Sequence, residues 1–150
     1  MKRAVFPGSF DPVTIGHQDI VNRGLKIFDE IIIGVGENID KKYMFSINER
    51  FDFVSKAFEA DNKVHIKSYD GLTVDFCKKN NAEFIMRGLR NPADFEFEKS
   101  IALINREMTG IETVFFLTSP KNSFVSSSIV RDLIKNKGDY KLFIPKGVIL

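Results

Sequence analysis

At 150 residues the chain has the length of one ordinary domain, enough to bury a hydrophobic core without disulfide or metal staples. Hydrophobic content of 43% and charged content of 28% are those of a soluble globular protein, and a net charge of +2 gives no electrostatic ground for a nucleic-acid partner. The one cysteine, Cys77, excludes an internal disulfide framework and fits a reducing compartment.

The first residues, Met1-Lys2-Arg3-Ala4-Val5-Phe6, begin like a basic leader, but Pro7, Gly8 and Asp11-Pro12 break the apolar run. No stretch approaches the ~20 apolar residues of a membrane helix, so the expectation is a cytoplasmic protein with no membrane partner. Residues 4–6 read as a first strand. The segment after Asp11-Pro12 reads as a helix with Ile20, Val21, Ile27 and Phe28 on one face. Residues 31–35 form the second predicted strand. Ser46-Ile47-Asn48-Glu49 is a capping box that opens a helix carrying Phe51, Val54 and Phe58. Residues 64–67 read as a third strand, 74–79 as a short helix and 84–86 as a fourth strand. Phe97, Ile101, Ile104 and Met108 make the cleanest helical stripe in the chain, ending at Gly110. Residues 114–117 and 127–137 are the last strand and the last clear helix, and the tail from Leu142 can open a further helix. Strands alternating with helices predict a single α/β domain over 1–150: a Rossmann-like, doubly wound, five-stranded parallel sheet. Such sheets bind ligands at the carboxyl ends of their strands.

The first strand runs into Pro7-Gly8-Ser9-Phe10-Asp11-Pro12-Val13-Thr14-Ile15-Gly16-His17. Neither the dinucleotide Gly-x-Gly-x-x-Gly pattern nor a Walker loop is present. What the segment offers is an anion site: Gly8 permits close backbone approach, Gly16 leaves room for phosphates, the helix N-terminus presents free amides, and His17 can donate to a phosphoryl oxygen. Alone, the segment is equally well a tight strand-to-helix turn with a surface histidine. Two distant segments shift that balance. Arg87 and Arg90 fall just past the fourth strand, with Gly88 allowing a bend between them, and arginine's planar fork suits phosphate oxygens. Ser123-Phe124-Val125-Ser126-Ser127-Ser128 follows the fifth strand and opens the last helix, offering more hydroxyls and amides than capping requires. Lys41 adds positive charge over the site, whereas Lys42 reads as a solvated loop residue and His65 has no assigned role.

Together these residues resemble the nucleotidylyltransferase superfamily and, within it, the phosphopantetheine adenylyltransferase family, from Arg3 to about Pro145. Pro7-Gly8-Ser9-Phe10-Asp11-Pro12 with Thr14-x-Gly16-His17 resembles the first superfamily motif, and Ser126-Ser127-Ser128 with Arg131 the second. Arg87-Gly88-Leu89-Arg90, Asp94-Phe95-Glu96, Asn105 and Lys41-Lys42-Tyr43-Met44-Phe45 resemble the more family-specific parts. The resemblance implies adenylyl transfer from ATP to 4'-phosphopantetheine, giving dephospho-coenzyme A and pyrophosphate. It also implies Mg2+ with no protein metal ligand assigned, a homohexamer, and feedback by coenzyme A. By position it implies His17, Lys41 and Arg90 as catalytic residues. Ser9, Phe10, His17, Gly88, Leu89, Arg90, Glu98, Ser123, Phe124, Val125, Ser126, Ser127, Ser128 and Ile129 would bind ATP. Ser9, Lys41, Leu72, Thr73, Arg87 and Asn105 would bind the acceptor. Ser9 stands where the family more often has threonine, Val125 where isoleucine is usual, and Phe97 where tyrosine is frequent. The rival expectations are a nucleotidylyltransferase acting on nicotinamide mononucleotide or on a sugar or glycerol phosphate, and a nucleotide-sensing domain without catalysis.

Overall fold

Strands apolar at successive positions need cover on both faces, and the chain supplies it. The computed structural model describes residues 1–150 and contains a five-stranded, all-parallel sheet in the order β3-β2-β1-β4-β5. Its strands are β1 (Arg3–Gly8), β2 (Glu30–Gly36), β3 (Val64–Tyr69), β4 (Phe84–Leu89) and β5 (Glu112–Leu117). The helices are α1 (Ile15–Gly24), α2 (Ile47–Ala57), α3 (Thr73–Lys79), α4 (Pro92–Thr109) and α5 (Ser127–Lys135).

Side-chain alternation sorts the strand residues onto two cores. Ala4, Phe6, Ile31, Ile33, Val35 and Met86 join the larger cluster, with α1, α2 and α5. Val5, Ile32 and Ile85 join the smaller one, with Val74, Phe76 and Cys77 of α3. Gly34 faces this second side, where a Cβ would stand 2.8 Å from the Phe76 ring and 3.0 Å from Tyr69, so the stacked Tyr69–Phe76 pair excludes any larger residue. Order reverses between β1 and β4, and the carboxyl ends of those two strands define the switch-point crevice.

Several boundaries differ from expectation. Strand β4 continues through Arg87 and Gly88 to Leu89, because those residues keep pairing with Phe115, Phe116 and Leu117. Arg87 therefore lies inside the strand and only Arg90 lies beyond it. Gly88 has an ordinary strand backbone and makes no bend; a Cβ there would sit 3.3 Å from Ile20, so it lets α1 approach the sheet. Helix α1 stops at Gly24, leaving Phe28 buried but Ile27 half exposed outside the helix. Helix α5 stops at Lys135, two residues before the expected end, and the tail forms a 3₁₀ turn at Lys141–Phe143 rather than a helix. Ile144 and Val148 of that tail pack into the larger core.

Helix α4 is well terminated, with Asn91 accepting from the Asp94 N–H, Pro92 in the first turn and Gly110 at φ 75°. Yet none of its residues is buried: Phe97, Ile101, Ile104 and Met108 are 67%, 40%, 59% and 59% exposed. The cleanest helical stripe of the sequence is thus not a core stripe within one chain.

Candidate active site

Two chambers, of about 320 and 380 Å3, open at the carboxyl end of the sheet, a size suited to small-molecule ligands. Pro7, Gly8, Ser9, Lys41, Arg87 and Glu98 line both, so the two are parts of one cleft joined over the end of β1. The first chamber lies toward α3 and α4 and is walled by Tyr69, Thr73, Phe97, Ile101 and Asn105. The second lies toward α1 and α5 and is walled by His17, Gly88, Arg90, Ser126, Ser127 and Ser128.

The loop after β1 is fixed from within. Phe10 adopts φ 49°, and its ring is buried against Phe6 and against the edge of His17 at a centroid distance of 4.9 Å. A Cβ on Gly8 would stand 3.0 Å from that ring, so Gly8 answers first to Phe10. Phe10 borders the second chamber, but its ring is committed to the core, which leaves its backbone as the part facing that chamber.

His17 occupies the third position of α1 in a capping box. Thr14 Oγ1 accepts from the His17 N–H, and the Thr14 N–H donates to His17 Nδ1 at 3.0 Å. Because Nδ1 accepts a proton-bearing amide, the neutral ring carries its own proton on Nε2. Burial, then the nearby Arg87 and Arg90 guanidinium groups, lower the His17 pKa from 6.5 to about 4. At neutral pH His17 is an uncharged hydrogen-bond donor.

Arg87 projects from β4 on the same face as Ile85. Its Nε and Nη2 donate to both Glu98 oxygens at 2.9 and 2.6 Å, and its Nη1 donates to the Pro7 carbonyl at 2.7 Å. A guanidinium has five N–H bonds, so two remain for a ligand. Glu98 is thereby placed as the clamp of Arg87. Arg90 lies beyond the strand beside Asp94, its Nε 3.4 Å from the carboxylate. Lys41 Nζ donates to Ser9 Oγ at 2.9 Å, across the junction of the chambers.

The three serines have separate tasks. Ser126 caps α5 by accepting from the Ile129 N–H, Ser127 donates to the Pro12 carbonyl, and Ser128 accepts from Arg131. The Ser127 hydroxyl proton is spent on the Pro12 carbonyl, whereas Ser126 and Ser128 keep theirs. Arg131 also donates to the Asp11 carbonyl at 2.8 Å, tying α5 to the first loop. Leu72, Leu89, Ser123, Phe124 and Ile129 fall outside the lining of both chambers: Leu89 is buried, Phe124 packs on Phe143, and the rest are exposed. Thr73 borders the first chamber, its hydroxyl 2.9 Å from that of Tyr69. Burial pushes the Cys77 thiol up to about 12, which disqualifies it as a nucleophile.

Arg50, which the motifs do not single out, is fully buried and donates to the carbonyls of Ser9, Gly36 and Phe45. The signal is its spacing: it stands four residues before buried Val54, on the core face of α2, where a charge is out of place.

Comparison with known proteins identifies the family of the chain. Residues 5–133 match the cytidylyltransferase-like family. Phosphopantetheine adenylyltransferase of Flavobacterium psychrophilum is 57% identical over 148 residues, covering 99% of this chain and 98% of that protein. The chain belongs to the phosphopantetheine adenylyltransferase family. The Bacteroides fragilis and Clostridium perfringens proteins of the same name are 46% and 45% identical, covering 99% and 92% of their own lengths. A bifunctional NMN adenylyltransferase/ADP ribose pyrophosphatase from Francisella tularensis superposes with a TM-score of 0.73 over 95% of this chain and 44% of that one. At 16% identity that likeness concerns the fold. The chain is therefore a nucleotidyltransferase on a Rossmann-like sheet. No helix is long and apolar enough to cross a membrane.

Proposed function

We propose that the enzyme transfers the adenylyl group of ATP to 4'-phosphopantetheine, forming dephospho-coenzyme A and pyrophosphate. The observation that carries this reading is the shared wall of Ser9, Lys41 and Arg87 between two chambers of different character. The second chamber, with helix N-termini, His17, Arg90 and the serine turn, suits a triphosphate. The first, with Phe97, Ile101, Thr73 and Asn105, suits a slender arm of mixed polarity whose phosphate reaches the junction.

An oxygen of the acceptor phosphate attacks the α-phosphorus in line with the bridge to the β-phosphate. That P–O bond breaks as the new one forms, and pyrophosphate leaves with the electron pair. The nucleophile is already an anion at neutral pH, so no general base is required. His17 Nε2–H and Lys41 Nζ stabilise charge on the α-phosphoryl oxygens, and Arg87 holds the acceptor phosphate. Arg90, the N-terminal amides of α5 and the free hydroxyl protons of Ser126 and Ser128 hold the β- and γ-phosphates. ATP would enter as its Mg2+ complex, in which the cation would offset phosphate charge. No group of three or more His, Cys, Asp or Glu is placed to hold a metal ion. Of the carboxylates lining the cleft, Asp94 and Glu98 are paired with Arg90 and Arg87 and Asp11 accepts from the Met44 and Phe45 amides, so Glu37 is the one that would be free to approach a cation brought in with ATP.

The same reading extends to regulation and assembly. Coenzyme A contains both the pantetheine arm and an adenylate, so it fits the two chambers at once and acts as a feedback inhibitor. The exposed stripe of α4 and the exposed Leu117 on edge strand β5 support self-association, which the reading takes to be a homohexamer in the cytoplasm. Pyrophosphate release from ATP, measured with 4'-phosphopantetheine, nicotinamide mononucleotide, glycerol 3-phosphate and a sugar phosphate in turn, tests the reading. Turnover with phosphopantetheine alone is expected. Turnover with another acceptor in its place, or ATP binding without turnover, contradicts it.

A further inference from the structure

We infer that Arg50 is a positioning residue for the transfer, acting through the peptide between Ser9 and Phe10; this rests on the adenylyl-transfer reading above. Arg50 is 0% exposed and borders neither chamber. Its Nη1 donates to the Ser9 carbonyl at 2.7 Å and the Gly36 carbonyl at 2.8 Å, and its Nε to the Phe45 carbonyl at 3.2 Å. The guanidinium lies 3.9 Å from the centre of the Tyr43 ring, and Nη2 has no acceptor in the chain. A fully buried cation held by carbonyls and a ring, rather than by a carboxylate, is costly to keep as mere packing.

What it holds explains its presence. The three carbonyls come from three separate segments: the loop after β1, the end of β2, and the turn before α2. The last two flank Lys41. One rigid fork thus ties the Lys41 loop to the Ser9 loop, on which Lys41 itself closes at 2.9 Å. A trans peptide is planar with its C=O and N–H antiparallel. Drawing the Ser9 carbonyl inward to Arg50 therefore turns the Phe10 N–H outward, toward the chamber that Ser9 and Phe10 line. That N–H has no acceptor in the chain. Phe10 is also one of three non-glycine residues at positive φ, at 49°, a strained conformation that needs a neighbour to hold it. Arg50 is that neighbour. The outcome is a fixed amide donor on the second chamber, one residue past the Ser9 of the junction, with Lys41 held on Ser9 beside it.

Lysine can supply the charge but not a planar fork that reaches three carbonyls. Arg50→Lys and Arg50→Met should both lower kcat by on the order of 10²-fold, while KM for either substrate moves by less than about fivefold. Circular dichroism and melting curves identify the folded variants to be assayed. A purely structural arginine would lower the melting temperature and leave kcat per folded enzyme untouched. A folded Arg50→Lys variant with kcat within about twofold of wild type overturns the proposal. The wild-type enzyme offers a second test free of folding artefacts. In amide-resolved NMR, the Phe10 N–H should exchange rapidly in free enzyme, then shift and become protected on adding Mg-ATP without acceptor. An unmoved Phe10 amide overturns the proposal. Wild-type enzyme that releases no pyrophosphate with phosphopantetheine overturns instead the functional reading beneath it, and the proposal with that.

Discussion

Replacing His17 by alanine and by glutamate separates its two tasks. The ring closes the capping box through Nδ1 and presents Nε2–H to the second chamber. Alanine removes both. Loss of one preorganised donor to a developing oxyanion costs about 2.7–4 kcal/mol, which is roughly 10²–10³-fold in kcat. The Thr14 N–H also loses its acceptor, at about 1 kcal/mol of stability. Glutamate at this position restores the usual capping box with Thr14, so the melting temperature should return toward wild type. Its carboxylate, however, faces the cations that now lower the His17 pKa, pairs with Arg87 or Arg90, and repels phosphate. Its kcat should fall at least as far as that of alanine. Steady-state pyrophosphate release at saturating substrates, with melting curves alongside, reads both effects. An alanine variant with kcat within about threefold of wild type, or a glutamate variant more active than alanine, refutes the role assigned to Nε2–H.

Three further outcomes follow from the same geometry. Since burial and two arginines hold the folded His17 pKa near 4 against 6.5 unfolded, the unfolded chain binds more protons between those values. Stability is then unaffected by His17 above pH 6.5 and falls as pH drops from 6.5 toward 4, by about 3 kcal/mol at the lower limit, an effect that denaturant titrations of wild type and His17→Gln distinguish. Glu98→Gln removes the charge that orients the Arg87 fork at 2.6 and 2.9 Å, and should raise the acceptor KM by roughly tenfold with a smaller change for ATP in initial-rate assays. Ile104→Glu places a charge in the 59%-exposed centre of the α4 stripe and should shift the sedimentation coefficient toward that of a single chain without lowering its helix content.

Much of the fold is legible in the sequence because the sheet is covered on both faces. Residues 31–35 are apolar without interruption, and such a run has few alternatives to a buried strand. The strand ends are harder, because there the sheet carries its chemistry. Gly8, Arg87 and Gly88 look like strand terminators by composition, yet they pair on through the register of their neighbours. The expectation of an anion site in the first loop rests on Gly16 and His17, both of which line the second chamber. Its rigidity is not, since it depends on Phe10 turning its ring inward and on an arginine forty residues away. The α4 stripe reads as core by periodicity alone. Periodicity reports that a face is apolar, not which chain covers it. The three consecutive serines read alike as surplus hydroxyls, but Ser127 is tied to the Pro12 carbonyl of the first loop, whereas Ser126 and Ser128 accept bonds within their own helix turn and keep their protons, and only the fold tells them apart.

The central claim is that two phosphates meet over the end of β1 and react directly, with Ser9, Lys41 and Arg87 at the meeting point. The stereochemical course at the α-phosphorus tests it most directly. With ATP made chiral at that centre by sulfur and isotopic oxygen, a single in-line transfer to phosphopantetheine yields dephospho-coenzyme A with inverted configuration. Retention would require two displacements through a covalent enzyme intermediate, and would contradict the account.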